Sequence, residues 1–213
     1  MNRCAIFAGG DMPITDNDQQ REILRKTDYI ICADCGYRHV KELGLTPDLI
    51  VGDFDSYTEE LPDDVEIIST VPEKDDTDTL MAVKKAIELG YKNIDLYGAM
   101  GGGRIEHSIA NVQTMIYAFQ QGCDLTIRDK SVLRIQSADD GEVSYHDELG
   151  ELYFSVFALT EMVNIDYLRG VKYPLENHCI VQSFPIGVSN EITEGTAKLS
   201  IKSGLALIVT TPK

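Results

Sequence analysis

Basic residues are scarce in this chain: 19 Lys and Arg stand against 35 Asp and Glu, a formal net charge of −16 over 213 residues. A protein that follows a phosphate backbone needs clustered Lys and Arg, so nucleic acid is not expected as a partner. A small anion remains possible where a divalent cation neutralises it locally. Long apolar runs are absent too. No stretch approaches the ~18 residues that span a bilayer, and the apolar part of "MNRCAIFAGGDMP" is too short for a signal peptide and reads as a first strand. A cytoplasmic protein without a membrane partner is expected. The five cysteines, an odd number, sit mostly in apolar runs and read as small buried hydrophobes of a reducing compartment. Cys32 and Cys35 in "ICADC" have redox or zinc spacing, but neither Cys123 nor Cys179 supplies the second pair that zinc requires. GxxxxGK[ST] is missing, which excludes a P-loop, and no GxGxxG opens the first helix, which argues against a dinucleotide oxidoreductase.

An apolar content of 43% is enough for an ordinary globular core. Residues 1–128 alternate short apolar runs ("CAIFAG", "DYIICAD", "PDLIVGD", "VEIISTV", "NIDLYGA", "CDLTIRD") with helical patterns over 17–26, 36–43, 78–89 and 105–121. In the third helix Leu80, Val83, Ala86 and Ile87 are expected on the buried face, with Gly90 as the stop. Such alternation predicts an α/β domain with an open, mostly parallel sheet covered on both faces. Residues 129–213 read instead as strands separated by Gly, Asp and Asn, an all-β sandwich or barrel.

Ligands of open parallel sheets bind beyond the carboxyl ends of the strands. Gly9, Gly10 and Asp11 follow the first run, Asp34 and Gly36 the second, and Asp53 and Asp55 the third. Asp75, Asp76 and Asp78 in "KDDTDT" follow the fourth, and "GAMGGGR" the fifth. Parallel strands would bring all five loops to one edge. Asp53 and Asp55 alternate in an extended turn and, with Asp78, could form the all-oxygen Mg²⁺ site used with substrate phosphates. Gly101, Gly102 and Gly103 suit a close approach of backbone N–H groups to phosphate, and Arg104 can clamp its oxygens in bidentate fashion. Taken singly, the glycine triplet is an ordinary turn and His107 an ordinary helix-start residue. Their joint placement points to metal chemistry on a nucleotide or other polyphosphate.

Together "ADCG", "PDLIVGDFDS", "KDDTDT", "GGGRIEHSIAN" and, in the β half, "GVSNE" resemble the thiamine pyrophosphokinase family, in that family's order and over nearly the whole chain. The resemblance implies diphosphoryl transfer from MgATP to the hydroxyl of thiamine. It also implies a homodimer, with thiamine bound between subunits and the β half (129–213) serving thiamine binding and dimerisation. Carried over, Asp53, Asp55 and Asp78 would bind Mg²⁺, and Asp34, Asp75, Asp78, Thr77 and Arg104 would line the polyphosphate and reaction centre. Gly102, Gly103, His107 and Asn111 would belong to the nucleotide site, and Ser189 and Asn190 would face thiamine. Two positions depart from the family pattern: Cys35 stands where Gly is usual, and Glu106 where Asp is usual.

Two other readings stay open at this point. "LIVGDFDSYT" is similar to the nucleophile motif of haloacid-dehalogenase-type phosphatases, although Tyr57 stands where Thr or Val belongs. A non-catalytic nucleotide- or metal-binding regulator is the other.

Overall fold

The computed structural model describes residues 2–12, 17–53, 61–69, 76–147 and 149–213. The chain divides into two compact units, Met1–Asp129 and Lys130–Lys213.

Unit one contains strands β1 (Arg3–Phe7), β2 (Tyr29–Ala33), β3 (Leu49–Gly52), β4 (Glu66–Ser69), β5 (Asn93–Tyr97) and β6 (Asp124–Arg128). Its helices are α1 (Asn17–Lys26), α2 (Tyr37–Glu42), α3 (Asp78–Glu88) and α4 (Ile105–Gln120). The strands run in the order β4-β3-β2-β1-β5-β6, and every neighbouring pair is parallel. A strand covered on both faces has no polar side to show, and β1 carries Cys4, Ala5, Ile6 and Phe7 in succession with no exposure at all. β4, at the edge of this set of strands, is only half-buried.

Helix α3 illustrates how the local sequence sets an element's ends. Thr77 has extended backbone and its Oγ1 accepts from Leu80 N at 3.2 Å, an N-cap in which a hydroxyl rather than an aspartate does the capping. At the other end Gly90 takes φ +89°, and Tyr91 N donates to Ala86 O. The buried face differs from the expected one: Thr79, Ala82, Val83 and Ala86 are buried, whereas Leu80 and Ile87 are half-buried at its margins. Three small residues on that face let the helix lie close on β1, β2 and β3, which turns the larger side chains outward. The second helix also begins later than its pattern implies, because Asp34–Gly36 form a 3-10 turn before α2.

Unit two is all-β. β7 (Val132–Ser137), β9 (Leu152–Ala158), β12 (Asn190–Glu191) and β14 (Leu205–Pro212) pair antiparallel in the order β12-β9-β14-β7. β8 (Glu142–His146), β10 (Met162–Arg169), β11 (Leu175–Val181) and β13 (Thr196–Ser203) form a second sheet ordered β11-β10-β13-β8. Phe154, Val156 and Ile208 from the first set pack with Val163, Ile165, Leu199 and Ile201 from the second, which makes the unit a sandwich. In β10 the buried positions run Val163, Ile165, Leu168 rather than in strict alternation, because its register against β13 shifts on both sides of Ile165.

Candidate active site

β1 lies between β2 and β5, yet the chain reaches β5 only after passing through β3 and β4. The strand order therefore reverses between β1 and β5, and open parallel sheets bind ligands beyond the carboxyl ends at such a reversal. A cavity of about 270 Å³ opens there. Its walls come from the loops after β1, β2 and β5 and from the first turns of α3 and α4.

The floor is backbone. Ala8 N donates to Tyr97 O at 2.8 Å, and Gly10 N donates to Gly98 O at 2.7 Å. A Cβ on Gly10 would stand 2.5 Å from Gly98 O, and one on Gly98, at φ +63°, would stand 2.4 Å from Ala8 O. The two loops can cross this closely only as glycines. His39, on α2, contributes a contact of 2.9 Å from Nε2 to Gly10 O.

Asp34 lines the cavity from the end of β2 with φ +47°, a left-handed conformation rare for a residue with a side chain. Gly52 accommodates it, since a Cβ there would meet Asp34 Cα at 3.0 Å. Asp34 Oδ2 accepts from Cys35 Sγ at 3.2 Å, while its buried Oδ1 has no hydrogen-bond partner among the described residues. A carboxylate oxygen held this way suits a cation or a ligand hydroxyl. Cys35 sits in a right-handed turn over Gly9, a backbone that admits a side chain. Burial and the neighbouring Asp34 push its thiol up to about 11. Cys32 is fully buried, which raises its thiol further, and both are free cysteines.

The loop after β5 is held by side chains. Asp129, directly after β6, accepts from Gly98 N at 2.6 Å through Oδ1, and from Ala99 N and Met100 N at 2.9 and 2.7 Å through Oδ2. Gly101 N donates to Ser108 Oγ at 3.1 Å, and Gly102 N donates to Asp11 Oδ2 at 2.8 Å. The N–H groups of Gly101 and Gly102 thus already have acceptors within the protein. Asn111 lines the cavity and is buried, and its Nδ2 donates to Ala99 O at 2.7 Å. Desolvation of Asp129 outweighs its three N–H donors, and with the nearby Asp11 charge it lifts the carboxyl to about 6.

Thr77 and Asp78 at the start of α3, and Gly103, Arg104 and His107 around the start of α4, complete the lining. The Arg104 side chain is 72% exposed, and its Nε donates to Glu106 Oε1 at 2.8 Å. Asp76 is answered by Lys84, whose Nζ lies 2.6 Å away. Asp53 follows β3 and does not line the cavity. Asp55 and Asp75 lie outside the described residues. Among the described residues no group of three acids, histidines or cysteines is gathered for a metal.

In unit two, Ser189 is exposed with φ +56°, and its N–H donates to Ser155 Oγ at 3.0 Å. Asn190 borders a second cavity of about 200 Å³ lined largely by apolar side chains, but its amide is engaged by the fold. Oδ1 accepts from Tyr173 N and Glu191 N, and Nδ2 donates to Tyr173 O. Asn190 thus lines the cavity with its amide hydrogen-bonded within the fold.

Sequence reasoning missed Asp129, although it follows a strand end just as Asp34 and Asp53 do. The same placement rule, applied to the sixth run "CDLTIRD", would have included it. The roles of Ser108 and His39 carried no sequence signal.

Residues 20–127 match the family described as "Thiamin pyrophosphokinase, catalytic domain", and residues 142–206 match "Thiamin pyrophosphokinase, vitamin B1 binding domain". Thiamine pyrophosphokinase of Bacillus subtilis (strain 168) is 28% identical over 184 residues, covering 84% of this chain and 85% of its own. The crystal structure of a thiamine pyrophosphokinase from Bacillus subtilis superposes with a TM-score of 0.87 at 24% identity, over 100% of both chains. That of a thiamin pyrophosphokinase family protein from Enterococcus faecalis gives 0.80 at 27% identity, also over 100% of both. A catalytic-domain match over half of the chain, on a fold with its cavity at the strand-order reversal, carries one conclusion: the chain belongs to the thiamine pyrophosphokinase family of diphosphotransferases.

Proposed function

We propose that the cavity beyond β1, β2 and β5 holds ATP with Mg²⁺, and that the residues around it transfer the diphosphoryl group to the hydroxyl of thiamine. The observation that carries this reading is the convergence of Asp34, Thr77, Asp78 and Arg104 on one cavity from three separate segments of the chain. The donor set suits Mg²⁺: Asp53, Asp55 and Asp78 offer hard oxygens, and Asp34 Oδ1 is a buried carboxylate oxygen without a partner among the described residues. When bound, the cation offsets charge on the phosphates.

The remaining work falls to the protein's own groups. The thiamine oxygen forms a bond to the β-phosphorus, the bond from that phosphorus to the α-phosphate oxygen breaks, AMP leaves, and the hydroxyl proton is lost. Such transfers depend on positioning and charge stabilisation without a covalent enzyme intermediate. Arg104 is exposed and, among the described residues, is tethered by Glu106, so it can turn onto the transferring group. Asp34, fixed by its strained backbone, or Asp75 orients the hydroxyl.

Thiamine and a second protomer are assigned to unit two. Ser189 stands among exposed Tyr173, Phe184, Ile186 and Val188, an apolar surface suited to a homodimer with thiamine held between subunits. The five free cysteines favour a cytoplasmic setting.

The test is chromatography of nucleotides and thiamine phosphates with Asp53→Asn and Asp78→Asn proteins. Wild type should form AMP in step with thiamine diphosphate, and both variants should lose turnover while remaining folded. Near-normal activity of both at limiting Mg²⁺ would overturn the metal assignment. A phosphorylated Asp53 would instead favour the phosphatase chemistry.

A further inference from the structure

We infer that Asp129 is the positioning residue of the nucleotide site: its carboxylate shapes the loop after β5 before any ligand arrives. This rests on the reading that MgATP occupies the adjoining cavity. Three consecutive amides, Gly98, Ala99 and Met100, converge on its two oxygens at 2.6 to 2.9 Å. Consecutive N–H groups that converge in this way form an anion-binding concavity. Here the anion is part of the protein, brought from 29 to 31 residues away in the chain.

Further contacts extend from this turn into the cavity. Ala99 O accepts from Asn111 Nδ2 at 2.7 Å, linking the turn to the middle of α4's cavity-facing side. Gly98 O accepts from Gly10 N, linking it to the β1 loop. Gly101 N and Gly102 N reach Ser108 and Asp11, so the path of the chain into Gly103 and Arg104 is set from both ends. Without the carboxylate, three amides beside the cavity would lack an acceptor, and the turn that launches Arg104 would lose its template. Asp129 does not line the cavity, so its effect is transmitted through the loop. A site preorganised in this way spends no binding free energy on ordering the loop, which favours nucleotide affinity over any effect on the second substrate.

Hydrogen exchange and steady-state kinetics test this together. In the wild-type protein without nucleotide, the amides of Gly98, Ala99 and Met100 should exchange slowly; exchange at the rate of an open loop overturns the inference. Asp129→Asn keeps the shape but turns an NH₂ group toward at least one of these N–H donors. It should deprotect the amides left facing that NH₂ group and raise the KM for ATP about ten-fold or more, with the KM for thiamine within about two-fold. Asp129→Ala, which removes both acceptors, should exceed Asp129→Asn in both effects. Ile94→Val and Leu125→Ala, near the amino-terminal ends of β5 and β6, are controls that lose a little and a lot of buried packing away from the loop. Equal increases in both KM values, or the same ATP effect in these controls, would reduce Asp129 to an ordinary stabilising residue. Failure of wild type to turn over MgATP at any concentration would instead remove the nucleotide reading itself, a result the same kinetics distinguish.

Discussion

A Cβ placed on Gly36 would stand 1.9 Å from the carbonyl oxygen of Phe7. Position 36 therefore admits no side chain without moving β1 or the turn after β2. Gly36→Ala should destabilise the protein by about 3 kcal/mol, the upper part of the overpacking range, because backbone rather than a flexible side chain must yield. Cys35→Gly, which restores the usual family residue one position earlier, should cost about 1 kcal/mol or less through added freedom of the unfolded chain. Denaturant unfolding followed by circular dichroism compares them. Equal losses would show that the 1.9 Å approach does not govern this turn.

Thr77 caps α3 through a single hydroxyl contact to Leu80 N. Thr77→Ala should lose about 1 kcal/mol, and Thr77→Ser, which keeps the oxygen, should lose only a fraction of that. If Thr77→Ser is as inactive as Thr77→Ala while stable, the methyl group matters to the ligand and capping is not the whole role.

Arg104→Lys separates binding chemistry from folding. The side chain is largely exposed, so stability should change by no more than about 0.5 kcal/mol. Turnover should fall by about a hundred-fold, since an ammonium cannot offer the planar fork to phosphate oxygens. Single-turnover measurement of AMP release checks it; an unchanged rate would remove Arg104 from the reaction centre.

The Asp129 carboxyl titrates at about 6 in the folded protein against an ordinary 3.8, so the folded form holds this proton more tightly than the unfolded chain does. Stability from this group is then fully present below the unfolded value and is lost as pH rises through about 6. The swing amounts to at most about 3 kcal/mol. Wild type should gain stability relative to Asp129→Asn as pH falls from about 7.5 to about 5. A pH-independent difference between the two proteins would contradict the raised value.

Much of unit one is legible in its residues because buried parallel strands are apolar throughout and their helices carry local stop signals. Gly90 ends α3 as its position implies, and the alternation of strand and helix leads to the parallel sheet. The face of α3 is less legible, since the pattern weights the large Leu80 and Ile87, whereas close packing on a sheet favours Thr79, Ala82 and Ala86. At the site, residue types and spacing identify Asp34, Thr77, Asp78 and Arg104 as cavity residues. They do not reveal what an amide or carboxylate is already bonded to. Asn111 and Asn190 stand out in their motifs, and nothing there shows that Ala99 and Tyr173 engage their amides in the fold. Those partners are 12 and 17 residues away, beyond the reach of any local rule.

The crossing of Gly10 and Gly98 also limits how this enzyme can diversify. Neither position has space for a methyl group, and Gly36 beneath them has none either. Sequence drift or laboratory selection for another phosphate donor or acceptor must therefore leave the bottom of the cavity as it is. Change can enter instead at Cys35 and His107, which line the cavity on right-handed backbone and are partly exposed, and at Glu106 next to His107. This chain already departs from its family at two of those three positions.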